Sequence, residues 1–131
     1  MISGAFFVLG MGSAMSVNGI GGIFFRSADP DRRAAWYREH LGIDAGGDAV
    51  WIQQAGPTVF APFPADSNYF PTDQPVMLNL RVTDLDALAT RLEAAGIPIE
   101  RRQEWETEYG RFVRIYDPDG LPIELWEHPG Q

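Results

Sequence analysis

The sequence contains no cysteine. That excludes disulfide staples, thiolate-bound zinc, iron–sulfur centres and a cysteine nucleophile. Histidine is scarce as well, with His40 and His128 the only two. Positive charge is outweighed, 10 Lys+Arg against 18 Asp+Glu, for a net charge of −8. A chain this acidic repels phosphate backbones, so nucleic acid is not an expected partner. No apolar run reaches the roughly 20 residues that a membrane-spanning helix needs. The longest, Met1–Met11, has no basic residue before it or within it, the first in the chain being Arg26. Neither a secretory leader nor a membrane partner is expected, and the chain reads as cytoplasmic.

What is present is ordinary globular composition. The 131 residues are 45% hydrophobic and 21% charged, enough for one domain with its own core. Residues 1–17 read as an N-terminal appendage, with an extra strand or a dimer-contact arm as the sharper alternative. Residues 18–131 read as a single domain.

A repeat organises that domain. Gly21–Asp29 has the length and apolar content of a strand. Asp29 followed by Pro30 is a helix start, because Asp caps a free N–H and Pro has none to leave unpaired. The helix continues to Leu41, and Gly42 stops it. Downstream, Val76–Thr83 reads as a strand, Asp84 as a cap, Leu85–Ala95 as a helix and Gly96 as its stop. Arg26 and Arg81 are 55 positions apart, as are Asp29 and Asp84. Strand-like sequence follows each copy: 49–54 and 58–63 after the first, 98–100, 110–116 and 121–127 after the second. A Pro-rich loop, 64–75, separates the copies, and Asp117–Gly120 is a turn. The organisation is two β-α-β-β-β modules, about 18–64 and about 75–128.

The segments Asp29-Pro30 leading to Trp36–Gly42, Arg81–Asp84 leading to Leu92–Gly96, and Asp117–Trp126 carry a resemblance. Their ordered set resembles the vicinal oxygen chelate superfamily, the glyoxalase/bleomycin-resistance/dioxygenase group, over about residues 18–128. The resemblance implies an α+β fold of two paired modules whose mixed sheet curls into an open cup. It also implies a ligand in that cup, and a homodimer.

Strand alternation nominates the residues that face the cup. If Ile123 and Leu125 pack on a helix, Glu124 and Trp126 face the other way. Leu78, Leu80 and Val82 form the apolar set of their strand, leaving Met77, Asn79 and Arg81 for the cup. The repeat transfers this to Gly22, Phe24 and Arg26. Arg111 and Arg114 alternate with Phe112 and Val113, so one of the two is expected to reach the cup as an anion clamp, and Arg111 is carried in the expected set. Trp51 belongs to a group of aromatics, with Phe60, Phe63, Tyr69 and Phe70, around the middle loop. The expected ligand-binding set is Phe24, Arg26, Trp51, Met77, Asn79, Arg81, Arg111, Glu124 and Trp126.

Metal-using members of the superfamily place a His or Gln seven residues before each capping Asp, and a Glu in the last strand. Here those positions hold Gly22, Met77 and Glu124. Gly has no donor and Met suits soft metals, so Glu124 alone matches; Thr58 and Gln54 are the nearest candidates for a further ligand. His40 at a helix end and His128 beyond the last strand do not repair the set. No metal ligand set and no cofactor are expected, and a divalent ion is disfavoured. The expectation is a small-molecule-binding protein without the usual metal, favouring a cationic or polar aromatic ligand. The alternative is a lyase, isomerase or oxygenase of the same superfamily that uses Glu124 as base or metal ligand. Glu104, Glu106, Glu108 and Tyr109 before Gly110 read as a solvated acidic loop, the alternative being a carboxylate pair with Glu124 for acid/base work.

Overall fold

The structure, a computed structural model, describes residues 16–130. The expected appendage at 1–17 therefore lies almost wholly outside the described residues. Both helices start where the sequence places them. In α1 (Pro30–Leu41) the Asp29 side chain accepts from the Arg32 N–H at 3.2 Å, and Gly42 closes the helix at φ 67°. In α2 (Leu85–Ala94) the Asp84 side chain accepts from the Ala87 N–H at 3.1 Å. This helix ends one residue earlier than expected.

The sheet comes from the second half of the chain. Its strands are β1 (Leu78–Arg81), β2 (Glu106–Thr107), β3 (Gly110–Tyr116) and β4 (Pro122–Glu127). Their spatial order is β1-β4-β3-β2, with β1 parallel to β4 and the other pairs antiparallel. The result is a mixed, open sheet. Register divides it into two faces. The rows Leu78–Ile123–Ile115 and Leu80–Leu125–Val113 face the helices. They pack with Leu85, Leu92 and Tyr37 in one core.

The first copy departs from expectation. The strands expected over 21–29, 49–54 and 58–63 are not formed, and in the second copy the strand expected over 98–100 is reduced to a single bridge from Glu100 to Arg114. Strands are stabilised by pairing their backbone N–H and C=O groups, and in the described residues no ladder reaches these segments. Their apolar side chains stay outside the core: Phe24 is 95% exposed and Phe60 85%. Of the first copy's regular elements, α1 alone forms.

Helix α1 is fixed to the sheet by a buried ion pair. The Asp117 side chain is fully buried, and Arg33 meets its Oδ2 through Nη2 at 2.7 Å and Nε at 2.8 Å. The Tyr37 hydroxyl donates to the same oxygen at 2.7 Å. The other oxygen, Oδ1, accepts from the backbone N–H groups of Asp119 and Leu121. Arg33 also donates to the Arg26 carbonyl and lies over the Phe25 ring. Removing one member of a buried pair leaves the other charge uncompensated. Asp117→Ala is therefore expected to lower the unfolding free energy by about 3–5 kcal/mol. Tyr37→Phe, which leaves the ion pair intact, should cost about 1 kcal/mol. Urea unfolding measures both, and equal small losses would show that the pair does not join the halves.

Candidate ligand-binding site

The opposite face of the sheet is the open one. Two rows cross it: Asn79–Glu124–Arg114, and Arg81–Trp126–Phe112. Glu124 is only 6% exposed. Its Oε1 accepts from the Asn79 amide at 2.8 Å, and its Oε2 from the Tyr69 hydroxyl. Arg114 stands beside it in register and is equally buried. Arg114 donates through Nη2 to the Tyr69 carbonyl at 3.0 Å, and its guanidinium lies about 5 Å from the ring centres of Tyr69 and Trp105. Among the described residues its Nε is a buried side-chain nitrogen without a hydrogen-bond partner. An unpaired buried donor of this kind is uncommon and costs stability.

Tyr69 comes from the middle loop, which folds over one end of the cup. Its ring sits 5.8 Å from Phe63 and 6.2 Å from Trp105. Burial pushes its phenol well above the ordinary value, and the hydrogen bond to the Glu124 carboxylate and that group's charge add to the effect. The Arg114 guanidinium opposes it.

The second row is aromatic and basic. Trp126 and Phe112 stack nearly parallel, with centres 5.8 Å apart. The Trp126 indole donates to the Tyr109 carbonyl at 2.8 Å. Gly110 permits this: at φ 126° a side chain is strained, and a Cβ would collide with the Glu127 carbonyl oxygen. Arg81 is tied to the chain that crosses the cup's rim, donating to the carbonyls of Gln54 at 2.8 Å and Pro57 at 3.1 Å. Gly56 leaves the space its guanidinium fills.

The sequence-nominated residues thus divide. Asn79, Arg81, Glu124 and Trp126 lie together on the open face, with Met77 just ahead of β1. Arg111 does not join them. It points to the helix face and pairs with Asp86 at 2.8 Å, holding that carboxyl below the usual carboxylate range. The arginine on the cup face is Arg114, because residues three apart in a strand face opposite ways. Phe24, Arg26 and Trp51 are exposed and take no part in the hydrogen-bonded group around Glu124. Tyr69, Arg114 and Trp105 complete that group, and Phe112 stacks on Trp126; the sequence offers Arg114 as the alternative clamp and Tyr69 as a loop aromatic, and does not single out Trp105 or Phe112. Counting outward from the 117–121 turn, which pairs Tyr116 with Pro122, places Arg114 opposite Glu124.

The donor set does not fit a divalent ion. Around Glu124 stand one carboxylate, one amide and one phenol, short of the usual ligand count. Among the described residues no three His, Asp or Glu side chains gather where an ion could be held. His40 lies against Trp36 and His128 against Trp126. Among those residues, too, no helix is long and apolar enough to cross a membrane.

Comparison with known proteins agrees with this architecture. Residues 22–126 match the family model described as a glyoxalase-like domain. An antibiotic binding protein from a Streptomyces species shares 26% identity at a TM-score of 0.56, over 87% of this chain and 98% of that one. A lactoylglutathione lyase from Agrobacterium tumefaciens has the same fold at 20% identity and a TM-score of 0.53, over 86% and 96% of the two chains. No match is found among curated proteins.

The raised phenol of Tyr69 sets a sign for alkaline behaviour. Below the ordinary tyrosine value of 10.0 both folded and unfolded chains keep the proton, so its contribution is complete. Above it the unfolded chain ionises first and stability falls. Urea midpoints at pH values of about 9 and 11 should therefore drop less in Tyr69→Phe than in the wild type. An identical drop would mean that the Tyr69 phenol is neither buried nor held by Glu124 in the folded chain.

Proposed function

The chain belongs to the glyoxalase-like domain family, and from that premise we propose that it binds a small polar aromatic molecule in the cup of its sheet, as a cytoplasmic homodimer and without a metal ion. The observation that carries this reading is the Glu124–Arg114 row on the open face. Burying ionised groups costs several kcal/mol each, and a core made only for stability is better served by apolar side chains. Placed at the floor of a cup beside a tryptophan, such groups orient a ligand. The Arg114 Nε calls for an acceptor, and Glu124 for a donor.

Local charge refines the ligand class. The whole chain is strongly acidic, yet the cup sets one carboxylate, Glu124, against Arg81 and Arg114. That balance favours a ligand with both donor and acceptor groups over a polycation. The similar Streptomyces antibiotic binding protein supports a small-molecule role. The donor set around Glu124 supports binding without a metal. The homodimer reading is supported by Ile23, Phe24, Val50, Ile52, Val59 and Phe60, each more than half exposed, because apolar surface on this scale marks an interface. A second reading follows from the Tyr69 hydroxyl donating to the Glu124 carboxylate, a hydrogen-bonded pair that a lyase, isomerase or oxygenase could use with Glu124 as base.

Titration followed by tryptophan emission, with neutral polar aromatics against cationic glycopeptides, tests the binding reading. The aromatics should saturate, and Glu124→Gln should weaken them about tenfold or more, the worth of one charged hydrogen bond. No saturable binding in either class would refute it, and turnover abolished by Glu124→Gln would favour the enzyme. Light scattering should give twice the chain mass of 14.6 kDa, falling to the monomer in the double variant Phe24→Asp, Phe60→Asp. A monomeric wild type would remove the dimer from the reading.

A further inference from the structure

Beside the cup lies a cavity that the Glu124 group does not use. Its volume is about 380 Å³, and residues 61–77 of the middle loop build it. That volume is in the range of small-molecule sites, roughly 300–1,000 Å³. Phe63, Phe70, Val76 and Met77 supply apolar walls, and Ser67, Thr72 and Gln74 line the remainder with polar groups. Two of these are poorly covered, Phe63 at 46% exposed and Val76 at 53%. Four prolines also line the cavity. Two turns brace it, with the Ser67 N–H donating to the Pro64 carbonyl and the Gln74 N–H to the Pro71 carbonyl, both at 3.0 Å. Proline fixes φ, so such walls lose little freedom when a ligand enters.

The cavity and the cup share two pieces of chain. Tyr69 bonds Glu124, and its neighbour Phe70 lines the cavity. Met77 lines the cavity, and Asn79 bonds Glu124. Two residues of extended chain separate those side chains by about 7 Å on one face. Phe63 closes the corner, 5.8 Å from the Tyr69 ring and 5.5 Å from the Phe70 ring.

We infer that the 61–77 cavity is an apolar subsite continuous with the cup. The ligand is then an elongated aromatic, its polar head at Glu124 and Arg114 and a further apolar ring between Phe63, Phe70 and Met77. This rests on the small-molecule reading above and adds the shape of the molecule to it.

Two neutral probes separate the two claims. 4-Hydroxybenzamide carries the head alone, and 6-hydroxynaphthalene-2-carboxamide adds one ring to it. Calorimetric titration of the full chain should give the naphthamide about tenfold tighter binding, the scale of a few buried methylene-sized groups. Phe70→Ala should abolish that advantage and leave the benzamide affinity unchanged. Val76→Trp, which fills the cavity from an exposed position, should do the same, and it guards against a fold defect in the first variant. Glu124→Gln should weaken both probes. An advantage that persists in Phe70→Ala and Val76→Trp, with both probes still dependent on Glu124, overturns the subsite and leaves the cup reading standing. Equal affinity of the two probes for the wild type also overturns the subsite. If neither probe binds, the cup reading and the subsite fall together.

Discussion

Asp117 gives up all its water on folding, and five protein donors replace it: two from Arg33, the Tyr37 hydroxyl, and the N–H groups of Asp119 and Leu121. The rest of the structure follows from how those donors are divided between the two oxygens. Oδ2 gathers the groups from α1 and so holds the first half of the chain on the sheet. Oδ1 gathers the backbone of the turn and so fixes the connection between β3 and β4. With that turn fixed, Tyr116 pairs with Pro122, and Arg114 falls opposite Glu124. A slip of one residue would send the cup-facing side chains of one strand to the helix side. The register of the candidate site is therefore set by a carboxylate that takes no part in it.

The two buried carboxylates make an instructive contrast. Asp117 has donors on both oxygens, and its basic partner Arg33 is bonded to Asp117, Asp119 and the Arg26 carbonyl. That arrangement is closed, and it reads as structure. Glu124 has one donor on each oxygen, one of them from a loop tyrosine, and its neighbour Arg114 keeps a buried N–H with no described partner. That arrangement is incomplete, and it sits on the face of the sheet without helices. Burial alone does not separate the two residues, since both are less than a tenth exposed. The state of their hydrogen bonding does.

Local signals in the sequence read well, and signals that depend on distant partners read poorly. Asp29-Pro30, Gly42 and Asp84 act within one turn of chain, and each does in the structure what its chemistry requires. Alternation in β1 and β4 placed Asn79, Arg81, Glu124 and Trp126 on one face for the same reason. The first copy's strands could not be read this way. Ile23, Phe24, Val50 and Ile52 have strand character, but a strand forms only against a partner, and the described chain offers none. Arg111 and Arg114 looked equivalent because each lies among apolar residues. Only the pairing across the turn decides which one meets Glu124.

Net charge does not describe the cup, where one carboxylate, Glu124, stands with Arg81 and Arg114. Glu93, Glu100 and Asp86 pair with Arg101, Arg102 and Arg111, and all three pairs are solvent-accessible, where such contacts are worth little. The cup depends instead on how Tyr69 is shared. Its hydroxyl satisfies Glu124, its carbonyl satisfies part of Arg114, and its ring touches Phe63 in the loop. A ligand that donates to Glu124 must displace that hydroxyl or share the carboxylate with it. Displacement adds the cost of moving the 61–77 loop to the free energy of binding, and a ligand that also fills the loop's cavity recovers that cost in buried apolar surface. Selectivity for a long aromatic over a short one would then arise from the loop, with the polar row setting only the orientation.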